Sequence, residues 1–78
     1  MDKQVIIYST PTCVHCQEAK RFLEEKGVNY TEFDVGEDMD KRQEMLDKAG
    51  RLTVPVIDVD REVMIGFDEN KLSELLGL

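Results

Sequence analysis

The chain contains two cysteines, Cys13 and Cys16, separated by Val14 and His15. On a helix, residues three apart sit on neighbouring turns. Two sulfurs at that spacing reach disulfide distance with little backbone movement. If the first of them opens a helix, its thiolate meets unpaired backbone N–H groups and the positive end of the helix dipole. Such an environment lowers a thiol's proton affinity, and the thiolate is the nucleophile of disulfide exchange. Cys13 is therefore the expected attacking sulfur. Cys16, one turn in and less exposed, is suited to resolve a mixed disulfide. His15 has two readings. Protonated, it adds positive charge beside Cys13 and makes the couple more oxidising; otherwise it is a solvent-exposed residue of the first turn. The pair could also be half of a zinc site. Such sites usually need four ligands, and the chain has no other cysteine or histidine beyond His15, so no metal is expected.

These residues need a strand and a helix to place them. Residues 4–8 read as a short buried strand, broken by Ser9-Thr10-Pro11-Thr12. Pro11 suits the approach to a helix, where its missing N–H costs nothing. A helix over residues 13–26 puts Ala19, Phe22 and Leu23 on one face, and Gly27 ends it. A second strand is expected over 28–35 and a second helix over 39–49, with Met45, Leu46 and Ala49 as its apolar stripe. Strands over 54–59 and 62–65 flank Asp60-Arg61 and read as a hairpin. Arg61 is a poor fit to a tight primed turn, which favours glycine. A last helix begins near Asp68 and carries Leu72, Leu75 and Leu76 on one face. The order is β-α-β-α-β-β-α. It predicts an α/β fold with a mixed four-stranded sheet, three helices and one domain over 1–78. The first two strands are joined through a helix and should be parallel.

Ten basic and 17 acidic residues give a net charge of −7. That sign repels phosphate backbones and anionic lipid surfaces, so neither nucleic acid nor a membrane is an expected partner. Residues 5–8 are too few for a signal-peptide core or a membrane span, and the expectation is a cytoplasmic protein. A reducing compartment disfavours a permanent structural disulfide, which leaves redox chemistry as the use of the pair. No exposed apolar stripe demands a second copy, so a monomer is expected. No glycine-rich phosphate loop is present, so no bound nucleotide is expected and reducing power must come from elsewhere.

Ile7-Tyr8-Ser9-Thr10-Pro11-Thr12-Cys13-Val14-His15-Cys16, Thr53-Val54-Pro55 and Ile65-Gly66-Phe67-Asp68 occur in this order. With them the sequence resembles the glutaredoxin family of the thioredoxin superfamily, over nearly the whole chain. The similarity is greatest to small bacterial glutaredoxin-like proteins and to NrdH-type redoxins, which feed electrons to ribonucleotide reductase. The resemblance implies a thioredoxin-like fold and a dithiol oxidoreductase that reduces protein or glutathione-mixed disulfides and serves cell redox homeostasis. It implies a cis Pro55, a Val54 backbone that pairs with the bound thiol substrate, and a substrate-binding surface of Thr53, Val54, Pro55, Gly66, Phe67 and Asp68. It also carries three departures. Typical members have Cys-Pro-Tyr-Cys where this chain has Val14-His15. Many have a lysine that contacts a glutathione carboxylate where this chain has Thr10. They have a Gly-Gly-Cys-Asp type segment where this chain has Gly66-Phe67-Asp68-Glu69. The Gly-Phe pair is more like NrdH-type redoxins, which take electrons from thioredoxin reductase. Two electron donors therefore stand open, glutathione as co-substrate or a flavoprotein reductase. A cluster bridging two subunits, known in some members, would need glutathione as a further ligand. Phe67 is either an apolar contact surface for a protein or a core residue.

Overall fold

The computed structural model describes residues 3–78. Met1 and Asp2, part of the expected 1–78 domain, lie outside the described residues. The elements are β1 (Val5–Ser9), α1 (Val14–Glu25), β2 (Thr31–Asp34), α2 (Met39–Ala49), β3 (Val56–Val59), β4 (Glu62–Ile65) and α3 (Glu69–Leu76). The sheet order is β2-β1-β3-β4. β1 runs parallel to β2 and antiparallel to β3, and β3 and β4 form an antiparallel hairpin. This is the thioredoxin-like arrangement.

Alternation along β1 divides the core in two. Val5 and Ile7 join Ala19, Phe22 and Leu23 of α1, Leu72 of α3, and Ile57, Val59 and Met64 of the hairpin. Tyr8 points to the other face, with Val35, Val56 and Met45 of α2. Two helices thus cover one face of the sheet and one covers the other, and period-two patterning in the central strand keeps the faces apart.

Some boundaries move from where the sequence puts them, each for a local reason. β2 begins at Thr31 rather than Val28, because the Val28 N–H closes the end of α1 by donating to the Leu23 carbonyl at 2.9 Å. β3 begins at Val56 rather than Val54, because Pro55 has no N–H for the ladder; its carbonyl instead accepts from Gly66 N–H at 2.8 Å. β1 gains Ser9, which pairs with Asp34. At the hairpin, Asp60 and Arg61 both adopt positive φ, 49° and 76°, so the turn is of the primed kind despite Arg61. The buried Asp58 supports it by accepting the Arg61 N–H at 2.7 Å, and Asp60 ties the turn to β1 by accepting the Gln4 N–H at 2.7 Å.

Candidate active site

β1 and β4 end, and β3 begins, at one end of the sheet, as the pairings Tyr8↔Val56 and Val56↔Ile65 require. The helices follow their strands there, so α1, α2 and α3 all start at this end. Each has an N-cap residue in extended conformation whose side chain accepts a backbone N–H of the first turn. In α2 the cap is Asp38, accepting from Lys41 at 3.1 Å; in α3 it is Asp68, accepting from Asn70 at 3.1 Å and Lys71 at 3.2 Å. In α1 the cap is Cys13, whose Sγ accepts the Cys16 N–H at 3.1 Å.

A cysteine sulfur thus occupies the position that an aspartate carboxylate holds in the other two helices. The physics that favours a capping anion favours the Cys13 thiolate when the pair is reduced. The first turn of α1 contains no acidic residue, whereas those of α2 and α3 carry Asp40 and Glu69. Of the three helix starts, only that of α1 is therefore free of first-turn carboxylates that would oppose a thiolate.

Cys13 and Cys16 are joined as a disulfide with Cα atoms 5.2 Å apart. Cys13 is half-buried and Cys16 fully buried, so an incoming reagent meets Cys13 first. Pro11 and Thr12 form an exposed turn, and the Thr10 carbonyl accepts the Cys13 N–H at 3.3 Å. The Val54–Pro55 peptide is cis. Thr53 and Val54 are half-buried, Pro55 is buried, and Gly66, at φ 83°, is linked to Pro55 by the bond above. Phe67 is half-buried and packs on the core, its ring centroid 5.9 Å from that of Phe22. One side of Phe67 thus serves the core and the other is open. Asp68 is exposed, and one of its carboxylate oxygens serves the α3 cap. His15 lies at the surface. Its side chain is 73% exposed, with Nδ1 3.9 Å from Glu18 Oε1, so a charge on it would be partly offset by that carboxylate. Among the described residues no three His, Cys, Asp or Glu side chains gather in a way that could hold a metal ion.

Two polar chains flank the β1–α1 unit, and neither is visible in the sequence, because their members are distant along it. On the α1 side, the buried Ser9 hydroxyl donates to Glu32 Oε2 at 2.7 Å, and Lys20 Nζ donates to the same oxygen at 2.7 Å. The Lys20 hydrogen bond, helped by that of Ser9 and opposed by burial, lowers the proton affinity of Glu32. On the α2 side, Tyr8 donates to Glu44 at 2.5 Å, and Lys48 donates to Tyr8 and to Asp58, each at 2.7 Å. The Tyr8 hydroxyl is thus enclosed between Glu44 and Lys48. Burial, then the bond to Glu44, raises its pKa above the ordinary range.

A cysteine that caps a helix and is bridged to a second one turn in, on this sheet, defines the class: a thioredoxin-fold dithiol oxidoreductase. The glutaredoxin family model matches residues 5–64. Glutaredoxin 3 of Escherichia coli is 40% identical over 65 residues, covering 83% of this chain and 78% of its own. The crystal structure of the thioredoxin-like protein BC3987 superposes with a TM-score of 0.87 at 36% identity, covering 92% of this chain and 99% of its own. The glutaredoxin-like NrdH-redoxin of Escherichia coli, described as having a thioredoxin-like activity profile, superposes with a TM-score of 0.80 at 25% identity, covering 92% of this chain and 93% of its own. The chain belongs to the glutaredoxin family, and its Cys13–Cys16 pair supports a thiol–disulfide redox function.

Proposed function

We propose that the chain reduces disulfides of protein substrates by dithiol exchange, as a cytoplasmic monomer with no bound cofactor, and is recycled by a flavoprotein reductase. The carrying observation is Cys13 Sγ in the capping position of α1, with Cys16 buried one turn behind it. The Cys13 thiolate attacks one sulfur of the substrate R–S–S–R′. The S–S bond breaks, R′–S⁻ leaves and takes up a proton, and a Cys13–S–S–R bond forms. Cys16 then attacks Cys13 Sγ, R–S⁻ leaves, and the Cys13–Cys16 disulfide remains. Two electrons have passed from the protein dithiol to the substrate. The surface beside the nucleophile fits a protein partner: Val14, adjacent to Cys13, is 68% exposed, and Phe67 presents its open side at the same end of the sheet.

For the electron donor, Thr10 supplies no cation for a glutathione carboxylate, and Gly66-Phe67 stands in place of the Gly-Gly-Cys-Asp type segment. Both features favour an NrdH-type redoxin over a glutathione-recycled enzyme, and likeness to the NrdH-redoxin structure supports the same reading. The test is a side-by-side reduction of the oxidised protein by NADPH with thioredoxin reductase, and by NADPH with glutathione reductase and glutathione. Rapid reduction by the flavoprotein alone is expected. Efficient turnover by glutathione would overturn the donor assignment and make this a glutathione-dependent reductase of glutathione-mixed or protein disulfides.

A further inference from the structure

Resolution of the mixed disulfide asks something of Cys16 that its own surroundings supply poorly. Its side chain is fully buried, and burial disfavours a thiolate. Yet Cys16 must lose its proton to attack Cys13 Sγ. A fixed pair of charges lies one helical turn away on the sheet side of α1. Lys20 follows Cys16 by four residues, on the same helix face. Its side chain is 16% exposed and that of its partner Glu32 is 38% exposed. The ammonium does not run out to solvent but folds against β2, where it shares Glu32 Oε2 with the Ser9 hydroxyl. The sheet register places this group under α1. Glu32 pairs with Ile7 in the parallel ladder, and Ile7 faces α1 in the core. Ser9, two residues on and 1% exposed, lies on that same face, at the point where β1 gives way to the loop carrying Cys13.

We propose that the Lys20–Glu32 ion pair, fixed from below by Ser9, is a positioning device that sets how readily the buried Cys16 gives up its proton in the resolving step. This rests on the dithiol mechanism above. In that step the Cys16 S–H bond breaks, its electron pair forms the bond to Cys13 Sγ, and the Cys13–S–R bond breaks toward R–S⁻. The proton ends on the leaving thiolate, directly or through water. A lone cation at position 20 would favour the Cys16 thiolate, and a lone anion at position 32 would oppose it. Pairing holds the two in balance, and the Ser9 bond keeps the carboxylate in register. The other ionisable groups nearby are accounted for. Tyr30, just before β2, donates to Glu24 of α1 at 2.8 Å; Gln17, Arg21, Glu24 and Tyr30 line the same groove as Lys20 and Glu32; and His15 and Glu18 lie 3.9 Å apart at the surface. Asp34 of β2 accepts the Gly36 N–H at 2.9 Å.

Because the pair members have opposite signs, a charge role and a merely structural clamp predict different outcomes. The test uses the reduced full chain and the aromatic disulfide dithiobisnitrobenzoate as substrate, followed by stopped-flow absorbance across a pH series. The first nitrothiolate released reports attack by Cys13; the second reports resolution by Cys16, with its proton passing to solvent. If no first release depends on Cys13, the dithiol mechanism itself fails. The inference is read only from the second phase relative to the first. Glu32→Gln should speed that phase and move its pH profile down, and Lys20→Met should slow it and move the profile up, each by about threefold to tenfold for one charge at a helical turn's distance in a partly solvated site. Lys20→Arg should restore the wild-type profile, and the double variant Lys20→Met/Glu32→Gln should fall between the single ones. If both single variants slow resolution with no opposite movement of the profiles, or if neither moves it, the ion pair is a clamp or a bystander and the inference is wrong.

Discussion

Replacing Cys13 separates its capping role from its chemistry. Cys13→Ala removes the acceptor that meets the Cys16 N–H at 3.1 Å, whereas Cys13→Asp installs the residue that caps α2 and α3. Losing an N-cap acceptor costs about 1 kcal/mol, and a negative charge at a helix start adds about 0.5 kcal/mol through the dipole. The aspartate variant should therefore exceed the alanine variant by about 1.5 kcal/mol. For a domain of this size that is roughly 6–12 °C in melting temperature. Both variants lack the disulfide, so the comparison is free of cross-link effects. Thermal and urea unfolding at neutral pH with reductant present would measure the gap, which should narrow as acid protonates the introduced carboxylate. The same physics acts on the wild-type thiolate, where about 1.4 kcal/mol in favour of the anion multiplies the thiolate-to-thiol ratio about tenfold. If the aspartate and alanine variants are equally stable, the α1 terminus does not reward an anion at position 13. The electrostatic reason for naming Cys13 the nucleophile would then be gone, leaving only its greater exposure.

Two further perturbations test the fold that holds the site. Arg61→Gly should stabilise the protein by about 0.5 kcal/mol in urea unfolding, since a non-glycine residue at φ 76° costs about 1–2 kcal/mol and glycine's extra chain entropy returns part of that; the Asp58 bond is to the backbone N–H and survives the change, so a destabilised variant would mean that chain entropy outweighs turn strain there. The Glu44 carboxyl is held below its usual range by the Tyr8 hydrogen bond, with burial opposing and Lys41 assisting. A depressed carboxyl contributes stability above its unfolded value that is lost as pH falls through the folded one. Glu44→Gln should therefore flatten the loss of stability below about pH 4.3, and an unchanged acid limb would show that the Tyr8–Glu44 bond contributes nothing.

Much of the site is legible in the sequence because its signals are local. Cys-x-x-Cys behind Pro11 specifies a helix start, and α2 and β4 fall on the expected residues because an Asp38 cap, a Gly50 stop and a two-residue turn are written in neighbouring positions. What the sequence leaves out is long-range. The Ser9–Glu32–Lys20 chain and the Tyr8–Glu44–Lys48–Asp58 chain join residues on different elements, and no periodicity marks which exposed-looking lysine or glutamate will turn inward. The Asp60-Arg61 turn departs from expectation for a related reason. Propensity disfavours Arg61 there, but the Asp58 carboxylate and the Gln4–Asp60 tie hold it. For His15 the sequence leaves a charge role and a bystander role open, and the structure adds that its side chain is largely exposed and lies 3.9 Å from Glu18.

The central claim is that Cys13 attacks and Cys16 resolves. Its most direct measurement is intact mass and peptide mapping of the Cys16→Ser protein after brief exposure to a disulfide-bonded protein substrate. The account predicts a stable mixed disulfide on Cys13 that the wild-type chain does not accumulate, and no adduct or turnover in Cys13→Ser. Sustained reductase activity of the Cys13→Ser protein, or trapping of substrate on Cys16 in its place, would contradict it.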